Sequence, residues 1–254
     1  MKKHKQPSRR DVLATGLAAI GALMLPGCGR KVELPPTYGN ILRMGDNLTY
    51  LAHRKILPGK ALVREYHRSD ISSFPATGTL NPATSEHAPH REAYEKLLKG
   101  NFQDWRLSVE GKVARPGLYS LNDLMKLPAR TQITRHTCEE GWTAIGEWTG
   151  VPLSKLLDAA GILPTARFVN FYAFDGYADA IDLIDALHPQ TILAYAMNGK
   201  TLPIQHGAPL RLRLETQVGY KSMKYLHRIV VADEFDDMGK DGSIQNGWAW
   251  YVGI

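Results

Sequence analysis

Cys138 is the residue of this sequence best suited to do chemistry. It follows Arg135-His136-Thr137 and precedes Glu139-Glu140-Gly141-Trp142, among side chains that titrate or donate hydrogen bonds. A structural cysteine is more typically a small hydrophobic group among aliphatic neighbours. A thiolate, by contrast, is a soft ligand that a thiophilic metal selects, and metal binding keeps the sulfur deprotonated. We predict that Cys138 is a metal ligand and the catalytic centre.

Two other interpretations of Cys138 follow from the residues alone. The thiol is buried and inert, or it is the nucleophile of a hydrolase with His136 as its base. The hydrolase is disfavoured because His136 lies only two residues away at the end of a predicted strand. Catalytic partners are usually brought together by the fold rather than by adjacency in the sequence.

The pattern on either side of Cys138 predicts strands joined by short helices. The β-rich run from Thr131 to Thr137 delivers Cys138 at its end. Pro152 lies near the first turn of a predicted helix that Gly161 terminates. Asn198-Gly199 is a strong hairpin signal after a predicted strand over 192–197.

Other segments carry equally local signals. Trp105, Leu107 and Val109 alternate with polar residues, which predicts a half-buried strand. The run from Ser120 to Asp123 resembles a capping box that opens a short helix. The remaining predicted elements are strands over 168–174 and 225–232, a helix over 181–187, and a strand in Leu210–Glu215 with leucines on one face and charges on the other.

The many strands, few short helices and absence of regular βαβ alternation predict an α+β fold with a mixed or antiparallel sheet. We divide the chain into a signal peptide over 1–27, an N-terminal extension over 28–100 that packs on the core, and a catalytic domain over 101–254. The extension is rich in turns, and one helix is predicted in it from Arg91 to Lys99, with Gly100 as its stop.

The positive charge is concentrated at the N-terminus. Residues 1–27 carry five basic residues against one acidic residue, a net +4, so the rest of the chain holds only +2 of the total +6. This distribution argues against nucleic-acid binding. The basic start and the uncharged run from Val12 to Leu25 are typical of an export signal, and Ser8-Arg9-Arg10-Asp11-Val12-Leu13 resembles the twin-arginine motif. An ordinary secretory signal is the alternative.

Leu25-Pro26-Gly27-Cys28 resembles the lipobox of bacterial lipoproteins, although proline is unusual there. We expect a periplasmic protein that is either anchored to the membrane by a lipid on Cys28 or freed by cleavage. Because Cys28 is then either lipidated or removed, Cys138 is left as the single free thiol of the mature chain, so no intramolecular disulfide is expected.

Six segments after residue 100 combine glycine, proline, aromatic and charged residues in a distinctive order. They are His136-Thr137-Cys138-Glu139-Glu140-Gly141-Trp142, Gly150-Val151-Pro152-Leu153, Leu193-Ala194-Tyr195-Ala196-Met197-Asn198-Gly199, Leu202-Pro203, His206-Gly207-Ala208-Pro209-Leu210-Arg211-Leu212 and Gly219-Tyr220-Lys221-Ser222-Met223-Lys224. Any one alone is weak evidence. Together they resemble the sulfite-oxidase-like molybdopterin oxidoreductases, of the bacterial exported type, over residues 100–254.

The resemblance implies a sulfite-oxidase-type molybdopterin-binding fold with one molybdenum per chain, held by a pterin dithiolene and by Cys138. Arg211 also suits a phosphate by its own chemistry, because a guanidinium offers a rigid fork of donors. The non-functional alternatives are a solvent-exposed strand position for Arg211 and Lys224, and a loop histidine with ordinary hydrogen bonds for His206. The residues implied to bind the cofactor are His206, Arg211, Lys221, Ser222, Met223 and Lys224.

Asp175-Gly176-Tyr177 resembles the family turn that edges the substrate pocket, with an ordinary turn as the alternative. Trp142 is a further candidate for the substrate pocket, with a core aromatic as the alternative. The bacterial methionine-sulfoxide reductases of this superfamily place an Asn and a Tyr-Glu pair against the cofactor in their N-terminal part. This sequence has no evident counterpart, and the nearest candidate segment is Phe74-Pro75-Ala76-Thr77-Gly78.

The resemblance implies oxygen-atom transfer to or from a small substrate such as a sulfoxide, an N-oxide or sulfite. The sequence has no haem-attachment motif, so electrons are expected to be exchanged with a separate protein, a cytochrome or a quinone-linked membrane subunit. A non-catalytic molybdopterin-binding or carrier module is the alternative function.

Overall fold

The computed structural model describes residues 41–254 except position 58. The predicted signal peptide and Cys28 therefore lie outside the described residues. The division into signal, extension and catalytic domain stays a prediction. Among the described residues, no helix is both long enough and apolar enough to cross a membrane.

Within the described residues, five α-helices and ten β-strands form an α+β fold, as predicted. The helices are α1 (Ile41–Ile56), α2 (Arg91–Lys99), α3 (Leu121–Met125), α4 (Leu153–Ala160) and α5 (Leu183–Ala186). The strands are β1 (Arg106–Gly111), β2 (Gly117–Ser120), β3 (Arg130–Thr137), β4 (Thr143–Pro152), β5 (Phe168–Ala173), β6 (Ala178–Asp182), β7 (Ile192–Met197), β8 (Lys200–Thr201), β9 (Arg211–Arg213) and β10 (Leu226–Ala232).

The strands make two five-stranded sheets. The first has the order β2-β1-β10-β5-β6 and is mixed, because β1 and β10 run parallel while the other pairs are antiparallel. The second has the order β3-β4-β7-β8, with β9 also paired to β7, and all its pairs are antiparallel. One apolar cluster joins both sheets to α4, through side chains such as Leu107, Leu156, Val169 and Leu212.

Several local signals gave the observed elements. Ser120 and Asp123 form the predicted capping box at the start of α3. Gly161 ends α4 in the left-handed conformation at φ 71°, which a glycine adopts without steric cost. Asn198 and Gly199 both have positive φ and join β7 to β8, as a type I′ hairpin turn requires.

Two predictions about helices were wrong. The helix predicted over 181–187 is shorter, because Ile181 and Asp182 belong to β6 and only Leu183–Ala186 is helical. Helix α1 was missed. Over its residues 44–56, the apolar Met44 and Leu48 are exposed, and the buried residues are the polar Asn47 and the amphipathic Tyr50. When a helix buries polar side chains through hydrogen bonds, its sequence shows no periodic pattern of apolar residues.

Candidate functional site

Cys138 lies in a tight turn between β3 and β4, at the end of the strand predicted to deliver it. Its N–H donates to the carbonyl of Trp142 at 2.9 Å, and its own carbonyl accepts from Gly141 at 3.1 Å. The residue is buried, with 5% of its surface exposed. The backbone thus fixes the position of the thiol without using the sulfur atom.

A cavity of about 470 Å³ opens at this turn. Its walls come from parts of the chain that are far apart in sequence. Nine of the ten predicted site residues line it: Cys138, Trp142, Asp175, Tyr177, His206, Arg211, Ser222, Met223 and Lys224.

Lys221 is the predicted site residue that does not line the cavity. Its ammonium group is buried and donates to Asp179 Oδ1 at 2.6 Å and to the carbonyl of Ala180 at 3.0 Å. The side chain is therefore engaged in a structural ion pair that ties the Gly219–Lys221 turn to β6. A contact between Lys221 and a cofactor stays a prediction.

Arg211 brings a buried positive charge to the cavity. Only 5% of the residue is exposed, so the solvated strand face considered above is excluded. Its Nη1 donates to the carbonyl of His206 and its Nη2 to the carbonyl of Ser222, at 2.9 and 2.8 Å. Its Nε has no hydrogen-bond partner among the described residues. A buried guanidinium with an unused donor is suited to hold an anion.

Lys224 places a second positive charge beside the cavity and anchors one of its walls. Its ammonium group donates to the carbonyls of Thr77 at 2.8 Å and Gln205 at 3.2 Å, and also to that of Thr79. These bonds hold the segment over residues 74–79 against the site. That segment includes the run singled out in the sequence as the nearest candidate for an N-terminal contribution.

Burial shifts four basic groups of the site towards their neutral forms. It lowers the pKa of Arg211 to about 9 and that of Lys224 to about 8. It also lowers the pKa of His206 to about 4 and that of His136 to about 2. For each group a neighbouring cation is the second cause. Positive charge is thus concentrated here beyond what nearby carboxylates balance, so the site favours an anionic ligand.

The Cys138 thiol, in contrast, needs a nearby positive charge to ionise. Burial raises the pKa of Cys138 to about 11, and the adjacent Glu139 charge raises it further, although a backbone hydrogen bond from Glu140 lowers it. Without a positive partner the sulfur stays protonated and donates to Glu139 Oε2 at 3.5 Å. A bound metal cation would supply the charge that the thiolate lacks.

From the sequence, His136 was considered only as the base of a hydrolase. In the structure it also lines the cavity. Its Nδ1 accepts a hydrogen bond from Arg213 Nη1 at 2.8 Å, and the thiol bonds to Glu139 instead. This arrangement does not support a cysteine–histidine nucleophile. A Cβ on Gly219 would lie 2.5 Å from Nε2 of His136, so only glycine permits this close approach.

The pocket edge contains the predicted acid and tyrosine. Asp175 Oδ1 accepts from the N–H of Tyr177 at 3.3 Å, and burial raises the pKa of the Asp175 carboxyl. The Tyr177 hydroxyl donates to Asp179 Oδ2 at 3.2 Å. Trp142 donates from Nε1 to Glu140 Oε2 at 3.0 Å and packs edge-on against Phe74.

Sequence reasoning missed the wall formed near the C-terminus. Lys240, Asp241, Asn246 and Trp248 all line the cavity. The abundance of aromatic residues in 248–251 is a weak signal that this part of the chain packs against the core. Nothing in the local pattern connects it to Cys138, because the contact depends on the tertiary fold.

The residues present fit a metal cofactor with an anionic tail. Across the described residues, no three His, Cys, Asp or Glu side chains converge to hold a metal ion. A single thiolate can therefore be the protein's ligand only where a cofactor supplies the others. Arg211 and Lys224 lie in the same cavity and provide the charge for an anionic group.

Comparison with known proteins gives a family match and similar chains. The model of the oxidoreductase molybdopterin binding domain matches residues 95–238. A putative protein-methionine-sulfoxide reductase subunit of Azospira oryzae is 42% identical over 141 residues, which is 56% of this chain and 54% of that one. A protein-methionine-sulfoxide reductase catalytic subunit of Xanthomonas campestris pv. campestris is 35% identical over 229 residues, 84% of this chain and 66% of that one.

Among solved structures, the sulfane dehydrogenase SoxCD from Paracoccus pantotrophus aligns with a TM-score of 0.49 and 25% identity. The alignment covers 52% of this chain and 39% of that one. The chain spans about half the length of the Azospira relative and about two thirds of the Xanthomonas relative.

Proposed function

The chain belongs to the family of oxidoreductase molybdopterin-binding domains, and on this basis we propose that it is a molybdenum enzyme that reduces sulfoxides. The reaction converts a sulfoxide to a sulfide and water and consumes two electrons and two protons. The relative from Xanthomonas campestris, named as a protein-methionine-sulfoxide reductase catalytic subunit, supports a sulfoxide over an N-oxide or sulfite.

One observation carries the proposal: the buried thiol of Cys138, the buried Arg211 and the partly buried Lys224 line the same cavity. Burial raises the pKa of Cys138 and lowers that of Lys224. A ligand that is cationic at one end and anionic at the other would stabilise the charged forms of both groups. A metal bound to an anionic pterin has this charge distribution.

Each part of the cavity has a separate task in this proposal. Cys138 would bind the metal through its thiolate, while Arg211 would use its free Nε donor for the anionic tail. His206 would contact the pterin as a neutral imidazole, because burial lowers its pKa to about 4. The cofactor, when bound, would supply the redox chemistry. The aromatic wall of Phe74 and Trp142 would limit the access of water to the thiol.

Electrons would come from a separate protein. The Xanthomonas relative is named a catalytic subunit, which supports a second subunit as the electron donor. We expect this partner to be a cytochrome or a quinone-linked membrane subunit.

The protein would act in the periplasm, after export through the twin-arginine route in a folded, loaded state. Replacing Arg9 and Arg10 by lysine should trap the protein in the cytoplasm. Normal export of that variant would indicate the general secretory route instead. Labelling with radioactive fatty acid, compared between the wild type and Cys28→Ala, would test the lipid anchor.

The central experiment is elemental analysis of protein purified from a host supplied with molybdate, followed by dye-linked turnover. We expect one molybdenum per chain and oxidation of a reduced viologen by methionine sulfoxide, faster than by an N-oxide. A protein that binds molybdenum but turns over neither the sulfoxide nor the N-oxide, and does not oxidise sulfite with an oxidised dye, would be a non-catalytic carrier. Absence of molybdenum would overturn the proposal.

A further inference from the structure

The residues that line the cavity lie partly inside and partly outside the region that matches the family model. Cys138, His206, Arg211 and the neighbouring cofactor candidates lie within residues 95–238, which match the family model. Two other walls, over 74–79 and 240–248, come from outside that match. These flanking segments therefore form the part of the cavity that the family model does not cover.

The segment over 240–248 is firmly attached to the core. Gly242 forms a β-bridge with Ala178, and Ser243 donates from Oγ to Asp179 Oδ1 at 3.1 Å. Just beyond it, Trp250 donates from Nε1 to Asn47 Oδ1 at 2.9 Å within a buried contact. These contacts hold the backbone of the segment against the core, so it forms a wall of the cavity.

Trp248 is the large apolar side chain of this wall. Its ring stacks on Tyr220 with centroids 5.5 Å apart and planes at 25°. The Tyr220 hydroxyl donates to the carbonyl of Ala249 at 2.5 Å, which holds the two rings together. Trp248 keeps 39% of its surface exposed although it lines the cavity, so part of the ring is available to a ligand.

The charges of this wall do not favour an oxyanion. Lys240 and Asp241 are adjacent and of opposite sign, and Asn246 is neutral. The strong positive charge of the site lies at Arg211 and Lys224, where the cofactor tail is proposed to bind. An uncharged substrate with apolar parts is thus better suited to the wall than sulfite is.

We propose that Trp248 is a specificity-determining residue that binds the apolar chain carrying the sulfoxide, with Tyr220 holding its ring in place. The inference rests on the proposed function and names the side chain that would contact the alkyl part of a neutral sulfoxide, such as a methionine sulfoxide side chain. Sulfur and methyl groups contact aromatic rings favourably. Trp248 acts in binding and does not take part in the redox step.

The test compares Trp248→Ala, Trp248→Phe and the control Tyr66→Ala, whose ring is partly exposed but does not line the cavity. We measure kcat and KM for N-acetylmethionine sulfoxide amide, and the Kd of the corresponding sulfone by calorimetry, on molybdenum-loaded protein. The Ala variant should raise KM and Kd about fivefold while kcat changes little. Phe should restore most of the affinity, and Tyr66→Ala should match the wild type.

Unchanged KM and Kd in Trp248→Ala would overturn the inference. A fall in kcat without a change in KM would also overturn it, since it would place Trp248 in the chemical step. Failure of the proposed function is a separate result. In that case the wild type shows no turnover of any sulfoxide, while sulfone binding still reports whether Trp248 contributes.

Discussion

Arg213 Nη1 donates to Nδ1 of His136 at 2.8 Å, beside the cavity that holds Cys138. An arginine is always a donor, so Nδ1 must accept, and the hydrogen of the neutral imidazole lies on Nε2. Burial lowers the pKa of His136 to about 2, so the ring is neutral at physiological pH. The tautomer of a cavity histidine is therefore set by a residue 77 positions away.

Replacing Glu215 by alanine should destabilise the protein strongly. Its carboxylate accepts from Nε and Nη2 of Arg213 at 3.1 and 2.8 Å, and both side chains are only 1% exposed. Removing one partner of a buried ion pair costs about 3–5 kcal/mol, because the other charge is left uncompensated. Urea unfolding followed by circular dichroism measures the loss.

The matched control is Glu95→Ala, which breaks an exposed pair between Glu95 and Lys99. Such pairs contribute little because water screens them, so this variant should unfold close to the wild type. Equal stability of Glu215→Ala and Glu95→Ala would contradict a structural role for the Arg213–Glu215 pair.

Replacing Cys138 by alanine should abolish dye-linked turnover without unfolding the protein. The turn is held by the backbone bonds from Cys138 to Trp142 and from Gly141 to Cys138, and alanine keeps both. The melting temperature should therefore stay near the wild-type value while activity falls to the background rate. Wild-type turnover in this variant would refute the assignment of Cys138 as the metal ligand.

Anion binding to protein produced without molybdate should weaken as pH rises through about 8, the lowered pKa of Lys224. Below that pH the ammonium group is charged and attracts an anion, and above it the group becomes neutral. His206 is neutral throughout because its pKa is about 4, and Arg211, with a pKa of about 9, loses its charge only at the upper end of this range. Sulfate is a suitable probe, since its own charge is constant from pH 6 to 9, and calorimetry measures its affinity.

Two variants check the origin of this pH dependence. Lys224→Met should bind sulfate more weakly at pH 7 and lose the decline near pH 8. Lys155→Met, at an exposed position of α4, should reproduce the wild-type curve. A decline that persists in Lys224→Met would assign the titration to another group.

Replacing Arg54 by alanine should release α1 from the core. Arg54 Nη2 lies 3.0 Å from Asp182 Oδ1 and 2.8 Å from Asp185 Oδ2, and both acids are buried. The loss of the cation leaves two adjacent carboxylates unbalanced and should cost about 3–5 kcal/mol at pH 7. Lys112→Ala, which breaks an exposed pair with Asp233, is the control and should change stability little.

The Arg54 variant should also regain stability as pH falls from 7 towards 4. Burial and then the charge of Asp185 raise the pKa of Asp182 in the folded state to about 6, above the ordinary value of 3.8. The folded state therefore binds the proton more tightly, and its stability rises as pH drops through this range. Because Arg54 opposes that shift, the gain should be larger in the variant than in the wild type. Chemical denaturation at pH 4.5, 6 and 7.5 measures it.

Local signals were sufficient for the strand leading to Cys138 and for the caps of α3 and α4. A capping residue, a glycine at a helix end or an Asn-Gly turn acts over a few residues, so its effect does not depend on distant contacts. The alternation in Leu210–Glu215 misled us in one respect. It predicts a face of charges, but Arg211, Arg213 and Glu215 are all buried. Arg213 and Glu215 balance each other's charge, whereas Arg211 is held by two backbone carbonyls.

The sequence by itself determined that Cys138 lies at the end of a strand, and its motifs identified the family and nine of the residues that line the site. The strand that follows Cys138 was found only in the structure. Only the tertiary structure decided how those residues are used. In the fold, Lys221 pairs with Asp179, and Trp248 joins the cavity wall. Nε of Arg211 has no hydrogen-bond partner within the part of the chain that the structure describes. These outcomes depend on burial and on contacts between distant segments. Neither spacing nor alternation along the chain encodes them.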